Sequence, residues 1–285
     1  MSREGAVLLD GKVIARAILR QAKQNIARLH QKKNASLRLA TLRIGDSKDA
    51  VLYERYLEKL LKQVGIAHES RVLPQGAAEK KILSEIHRLN LDPKITGVMI
   101  FAPLPKNVDP ANVFDHIQQI KDVEGRTFLK SHFGVFSPTA NAVMTLIDAT
   151  HGPLIGKEAV VVGHSDLVGK PVAVLLLDRL ATVTVCHKET KDLRSHIQKA
   201  DILVAAAGKA HLIPGSWIKP GAVVIDVGEN MLNGRLTGDV EFETARKRAS
   251  YLTPVPGGVG PVTNVILIKN LLKLYELQQA RNGNR

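Results

Sequence analysis

The amino-acid sequence predicts an α/β protein, because segments with helical spacing of apolar residues alternate with short strand-like segments along the chain. In the first helical segment Ile14, Ile18, Ala22 and Ile26 share one face. This alternation favours a mostly parallel sheet with helical connections. The elements expected in the first half are helices over about residues 11–29, 49–64 and 78–89, and strands over about residues 37–44, 71–73 and 97–101.

A second block of alternating elements begins after the loop at residues 136–138. Its expected strands lie near residues 159–162, 181–186, 202–205 and 223–227, an order typical of a Rossmann-like dinucleotide-binding domain. We therefore predict two α/β domains. Residues 1–137 with 265–285 would form the first domain, and residues 138–264 the NAD(P)-binding domain. A last helix over about residues 262–277 is expected to pack back on the first domain.

Composition limits the classes of partner. The chain has 285 residues, 45% of them hydrophobic, and no apolar run reaches the roughly 18 residues of a membrane span. Its first residues do not resemble a secretory signal, so we expect a cytoplasmic protein without a membrane partner. The net charge of +13 is spread along the chain and only 4% of the residues are aromatic. We therefore expect a basic surface that attracts anionic metabolites, and no nucleic acid partner.

Cysteine and histidine usage indicates neither disulfides nor a metal site. Cys186 is the single cysteine, which excludes an intrachain disulfide, and we expect it to be a packed thiol. The ten histidines have no metal-ligand spacing, so the prediction is that the chain has no metal site.

A glycine-containing loop, GHSDLVGKP at residues 163–171, follows one apolar strand segment and precedes an apolar helix. Glycine lets the backbone approach a phosphate closely, and a helix N-terminus offers N–H groups and a positive dipole end. Pro171 suits the first turn of that helix. The loop thus predicts a dinucleotide phosphate site, although an ordinary turn between a strand and a helix also uses glycine.

The end of the next strand bears on which cofactor binds. NAD sites usually carry an acidic residue there, whereas a 2′-phosphate requires a cation. Here the strand ends in His187-Lys188, with Glu189 one step further. Lys188, assisted by His164, favours NADP; NAD remains the alternative if Lys188 only points to solvent. The candidate cofactor-binding residues are Gly163, His164, Ser165, Val168, Gly169 and Lys188.

Several motifs resemble the methylenetetrahydrofolate dehydrogenase/cyclohydrolase family. Asp10-Gly11-Lys12 is similar to its opening, and the loop at residues 163–171 to its cofactor signature. The stretch TPVPGGVGP at residues 253–261 is similar to its most diagnostic motif, and residues 200–209 and 224–228 match in order. The similarity covers about residues 9–275. It implies that the first domain is a folate-binding catalytic domain, with the active cleft between the two domains. It also implies a tetrahydrofolate substrate, a homodimer paired through the cofactor domain, and a role in one-carbon metabolism and purine biosynthesis.

The 253–261 loop is the candidate for substrate binding on the cofactor side. Two prolines and three glycines make a rigid path that still exposes backbone amides, and Pro261 then starts the final helix. The candidate substrate-binding residues there are Pro256, Gly257 and Gly258. A tight turn between domains is the structural alternative.

Three positions depart from the family pattern. The family carries Tyr-x-x-x-Lys on the second helix; Tyr53 matches the tyrosine, but Leu57 occupies the lysine position. Lys59 lies about 200° further around the helix and is no obvious substitute. The family's glutamine before its Pro-Leu-Pro run corresponds to Phe101. In the family's acid motif, Glu124 replaces an aspartate that would hold the pterin.

These departures affect the family's two reactions unequally. Oxidation of the methylene carbon mainly requires alignment of donor and acceptor, whereas hydrolysis requires activated water and proton transfer. We therefore expect NADP-dependent oxidation of 5,10-methylenetetrahydrofolate to 5,10-methenyltetrahydrofolate, with Tyr53 and Glu124 as catalytic, folate-contacting residues. The cyclohydrolase step is expected to be weak or absent. The alternatives are a bifunctional enzyme and a non-catalytic folate- or nucleotide-binding paralogue.

Overall fold

The protein divides into two compact units. The structure, a computed structural model, describes residues 5–33, 36–127 and 135–283. The described residues up to Ala17 pack with Ser137–Ile266, and we call this group the large-sheet unit. The described residues between Ile18 and Phe136 pack with those from Leu267 onward, and we call this group the small-sheet unit.

Helices and strands alternate through most of the described chain, as the apolar spacing predicts. In chain order they are β1 (Val7–Leu8), α1 (Gly11–Lys33), β2 (Arg38–Ile44), α2 (Lys48–Val64), β3 (Ala67–Leu73), α3 (Glu79–Leu91), β4 (Gly97–Ile100), α4 (Pro110–Asp115), α5 (Pro138–Asp148), β5 (Glu158–Val162), α6 (Gly169–Asp178), β6 (Thr182–Cys186), α7 (Leu193–Ile197), β7 (Ile202–Ala205), β8 (Val223–Asp226), β9 (Asn230–Leu232), β10 (Arg235–Thr237), α8 (Phe242–Arg246), β11 (Tyr251–Leu252) and α9 (Val259–Gly283). Among the described helices, none combines the length and the apolar character needed to cross a bilayer.

The small-sheet unit is built on three parallel strands in the order β3-β2-β4. Helix α2 buries its apolar face, including Leu57 and Leu61, and ends at Gly65, which adopts the left-handed conformation. Ile268 and Leu271 of α9 belong to the same core as α2. The expected packing of the last helix against the first domain is therefore observed, because α9 supplies part of that domain's apolar core.

The large-sheet unit contains a parallel sheet in the order β1-β11-β8-β7-β5-β6. The chain runs outward from β5 to β6 on one side and then returns to β7 on the other side. In such doubly wound sheets, ligands bind beyond the carboxyl ends of the two strands where the order reverses. For this sheet those strands are β5 and β7. An antiparallel hairpin of β9 and β10 lies outside the parallel sheet.

The start of the chain packs differently from our expected domain boundary. We expected residues 1–137 to belong to one domain, but the described residues up to Ala17 pack in the large-sheet unit. The reason is that β1 extends the large sheet: Val7 pairs with Tyr251, and Leu8 pairs with Leu252. Both β1 and β11 have two residues, which is too short for periodicity to reveal them.

Candidate functional site

A cavity of about 700 Å³ lies at the carboxyl ends of β5 and β7, where the strand order predicts a ligand site. One wall is the segment Gly163–Asp166 after β5, and the opposite wall contains Ala206, Ala207 and Lys209 after β7. Lys188, after β6, also lines the cavity. The structure thus brings Gly163, His164, Ser165 and Lys188 to one place from separate parts of the chain.

Glycine at position 163 is required by the approach of two loops. Gly163 has a φ of 120°, and a Cβ there would overlap the carbonyl oxygen of Ala206. A Cβ on Gly169 would in turn overlap the carbonyl oxygen of Gly163. Val168 is the residue before α6, and neither Val168 nor Gly169 is part of the cavity lining. These two predicted cofactor-binding residues therefore belong to the loop but do not line the cavity.

Cationic and imidazole groups surround the cavity. The side chain of Lys188 is 86% exposed, and its Nζ lies 3.7 Å from Oε1 of Glu189. The rings of His164 and His187 have centroids 5.3 Å apart. Lys170 and Lys209 also line the cavity. A backbone wall that contains Gly163, with lysines around the cavity, fits a phosphorylated dinucleotide. The additional residue His187 could have been inferred from its position directly after β6.

The predicted substrate loop at residues 253–261 packs against the start of α1. Gly257 has a φ of 112° and its carbonyl accepts a hydrogen bond from the N–H of Gly11 at 2.9 Å. Gly258 packs on Thr253, and a Cβ on Gly11 would overlap the carbonyl oxygen of Gly258. Pro256, which follows a cis peptide bond, is exposed. Two motifs far apart in the sequence therefore meet within the large-sheet unit.

The small-sheet unit holds Tyr53 in an aromatic environment. The Tyr53 ring is half-buried and stacks near Tyr56, with centroids 6.5 Å apart, and it meets Phe101 edge-on at 6.0 Å. Leu57 is 0% exposed and Phe101 is 6% exposed, both in the same apolar core. Apolar side chains therefore fill the positions where the family pattern has a lysine and a glutamine.

A buried carboxylate that sequence reasoning missed lies next to Tyr53 on α2. Oε1 of Glu54 accepts hydrogen bonds from Thr41 Oγ1 at 2.6 Å and Ser70 Oγ at 2.8 Å. Its Oε2 accepts from Arg43 Nε at 3.0 Å. Burial alone would raise the pKa of Glu54, but these bonds outweigh burial and hold the pKa below its usual value. Glu54 is therefore a fully engaged structural anion.

The predicted folate-contacting acid, Glu124, is paired with a cation. Arg126 Nε donates to Glu124 Oε2 at 3.0 Å, and the side chains are 16% and 13% exposed. The guanidinium carbon of Arg126 lies 3.7 Å from the centroid of the Phe114 ring. Burial raises the pKa of Glu124, and Arg126 opposes that rise. A ligand that uses this carboxylate must share it with Arg126, a residue that the motif comparison did not single out.

Asp122, two residues before Glu124, is a second buried acid. Its side chain is 1% exposed, and its Oδ2 accepts from the backbone N–H and the hydroxyl of Thr127, both at 3.0 Å. Its Oδ1 has no hydrogen-bond partner within residues 5–33, 36–127 and 135–283. Burial raises the pKa of Asp122.

The parallel sheet, with a cavity lined by Gly163 at the point where the strand order reverses, defines a dinucleotide-binding α/β protein. Comparison with known families agrees. Residues 9–124 match the catalytic domain of tetrahydrofolate dehydrogenase/cyclohydrolase, and residues 137–279 match the NAD(P)-binding domain of the same family. The chain belongs to the tetrahydrofolate dehydrogenase/cyclohydrolase family, as the sequence motifs predict.

Relatives and solved structures of this family align over nearly the whole chain. The bifunctional protein FolD of Geotalea uraniireducens is 43% identical over 277 residues, which are 94% of this chain and 98% of that protein. The crystal structure of the bifunctional FolD enzyme of Campylobacter jejuni has a TM-score of 0.92 at 35% identity, covering 96% of this chain and 99% of that one. The Trypanosoma brucei enzyme, complexed with NADP and an inhibitor, has a TM-score of 0.90 at 36% identity, covering 96% and 98%. The predicted fold, with a Rossmann-like second domain, is confirmed.

Proposed function

We propose that this chain oxidises 5,10-methylenetetrahydrofolate to 5,10-methenyltetrahydrofolate with NADP. The observation that carries the proposal is the cavity at the ends of β5 and β7, which is lined by Gly163 and by Lys170, Lys188 and Lys209. The family membership supports the folate substrate. The NADP bound to the Trypanosoma brucei relative supports the phosphorylated cofactor.

The oxidation makes modest demands on side-chain chemistry. NADP, when bound, accepts hydride from the methylene carbon while the neighbouring folate nitrogen supplies the electron pair. The protein has to align the two molecules, which is a proximity effect. In this proposal Tyr53 offers an aromatic edge for the pterin, supported by Phe101 and Tyr56. Gly257 and Gly258 provide a rigid loop. The Glu124 carboxylate accepts hydrogen bonds from pterin N–H groups while it remains paired with Arg126.

Hydrolysis of the methenyl product is the second candidate activity. The relatives are named bifunctional proteins, and that observation favours the bifunctional alternative over an enzyme limited to oxidation. The residues at the family's lysine and glutamine positions argue in the other direction. Leu57 and Phe101 cannot transfer protons, and Glu54 on the same helix already accepts three hydrogen bonds. We therefore propose a cyclohydrolase step slower than that of relatives that keep the lysine.

A homodimer is part of the proposal. Strand β6 lies at one edge of the large sheet, with β5 as its neighbour in the sheet order. Val185 on β6 and Leu177 and Leu180 on and after α6 are 38%, 54% and 66% exposed. Apolar side chains beside an open strand edge favour pairing with a second copy. Sedimentation of the purified chain measures this directly, and a monomer at all concentrations would contradict it.

The function is tested by following the two steps separately with purified protein. Methylenetetrahydrofolate with NADP should produce reduced cofactor, measured by its absorbance, and NAD should be used less well. Methenyltetrahydrofolate alone should open little faster than in buffer. Fast opening would establish the bifunctional alternative and refute the argument from Leu57. Binding of folate and NADP without either reaction would establish the non-catalytic paralogue.

A further inference from the structure

We infer that Asp239, held by Asp226, is a positioning residue for the nucleotide cavity, because its carboxylate fixes the backbone that forms one cavity wall. The inference rests on the proposed function, because it takes the bound nucleotide to be NADP. The wall is the segment after β7, which contributes Ala206, Ala207 and Lys209 to the cavity. Neither carboxylate lines the cavity itself, so the effect on the nucleotide is indirect.

Asp239 accepts hydrogen bonds from three consecutive backbone amides of this wall. Its Oδ2 accepts from the N–H groups of Ala207 at 2.6 Å and Gly208 at 2.9 Å, and its Oδ1 accepts from Lys209 N–H at 2.8 Å. Asn230 Nδ2 donates to Oδ1 at 2.9 Å. Asp239 is 0% exposed, so these are buried, charge-assisted bonds. Residues 207–209 are exposed, yet their amides face inward to one carboxylate.

Asp226, at the end of β8, holds Asp239 in place. Its Oδ1 accepts from the backbone N–H of Asp239 at 3.0 Å and from that of Gly228 at 2.9 Å. Its Oδ2 accepts from Val240 N–H at 2.9 Å. The backbone N–H of Asp226 donates to Thr253 Oγ1 at 2.7 Å. The two carboxylates thus join the cavity wall to the end of β8, and the backbone N–H of Asp226 joins β8 to the first residue of the 253–261 loop, all within the large-sheet unit.

Loss of the Asp239 carboxylate should therefore change the cavity wall. Asparagine keeps one acceptor oxygen but turns an N–H₂ group toward backbone donors, so at least one wall amide loses its acceptor. An amide without a partner in a buried position is costly, and the segment would move to reach water. Ala206 would move with it, and its carbonyl is the group against which Gly163 packs. Both walls of the cavity would lose their fixed separation.

The test compares Asp239→Asn with Asp201→Asn in the full-length protein. Asp201 lies in the same unit, immediately before β7, at the other end of the strand. It accepts from Glu158 N–H at 3.1 Å and from Lys219 Nζ at 2.7 Å, and it does not line the cavity, so it is a hydrogen-bonded control acid. NADPH binding is measured by the fluorescence of the reduced cofactor, and thermal unfolding is measured in parallel to confirm that both variants are folded at the assay temperature. Asp239→Asn should raise the Kd for NADPH at least tenfold, whereas Asp201→Asn should leave it within twofold.

Amide hydrogen exchange supplies a readout that does not depend on the variant's stability. In the wild-type protein the amides of Ala207, Gly208 and Lys209 should exchange slowly although these residues are exposed. An unchanged Kd for NADPH in Asp239→Asn, or fast exchange of these amides in the wild type, would overturn the inference. Absence of NADPH binding by the wild type would instead refute the proposed function.

Discussion

Leu57→Lys combined with Phe101→Gln is predicted to introduce hydrolysis of methenyltetrahydrofolate. Both side chains are buried in one apolar core against which Tyr53 packs. The double change supplies an ammonium that can titrate and an amide oxygen that can accept a hydrogen bond from it. The family's positions for general acid–base catalysis would then carry groups able to transfer a proton. Partial activity is expected, because a catalytic group must be placed to within about half an ångström.

The loss of folding stability caused by Leu57→Lys alone can be estimated from the burial of Leu57. Leu57 is 0% exposed, so its removal loses roughly 1.5–3 kcal/mol of apolar burial. An amine without a partner adds about 1–3 kcal/mol even after its pKa falls and it becomes neutral. The sum of about 2.5–6 kcal/mol is a large part of the roughly 5–15 kcal/mol that stabilises a folded domain. The introduced glutamine should restore about 1 kcal/mol, so the two changes should be non-additive.

The assay follows the decay of methenyltetrahydrofolate absorbance, corrected for spontaneous opening, beside a folate-binding measurement. Leu61→Lys is the matched control: Leu61 is 1% exposed on the same face of α2, one turn further along. It should destabilise the protein comparably without adding hydrolysis. If the double variant folds and binds folate but stays at the buffer rate, loss of the lysine and glutamine does not explain a weak cyclohydrolase.

Three further predictions concern charged residues. Lys188→Glu should weaken NADP binding about tenfold more than NAD binding, since it repels the 2′-phosphate; equal effects in titrations with both cofactors would show that Lys188 does not contact that phosphate. Arg126→Met should lower the free energy of unfolding by about 3–5 kcal/mol at neutral pH, and by less at acidic pH, where Glu124 is protonated. Urea unfolding at neutral and acidic pH measures this, and an equal loss at the two would contradict the ion pair. Burial raises the pKa of Asp226 to about 6 from 3.8, so the folded state binds this proton more tightly than the unfolded state does. The free energy of unfolding should therefore fall as pH rises from about 4 to about 6, by at most about 3 kcal/mol. The stability of the wild type relative to Asp226→Asn should fall over that window; a flat difference in urea midpoints would refute the assignment.

Local sequence patterns predicted the helices, strands and loops whose formation depends on residues close together in the chain. The alternation of apolar residues identified α2 and β2, and the glycine at 163 between a strand and a helix identified one wall of the cavity. Both signals follow from backbone geometry over a few residues, so they do not require knowledge of distant parts of the chain. The family motifs added the expected substrate and cofactor, and the family is confirmed.

Tertiary structure decided which buried charges are paired. Glu54 is bonded to residues of β2 and β3, and Asp239 is bonded to amides some thirty residues earlier in the chain. Likewise β1 was recognisable only through its pairing with β11. Strand register and packing bring these groups together. The sequence between them has no periodic pattern that would indicate the pairing. Composition and local spacing by themselves determined that the protein has two α/β units and a dinucleotide loop. The partners of its buried acids depend on contacts between distant residues, which form only when the sheets assemble.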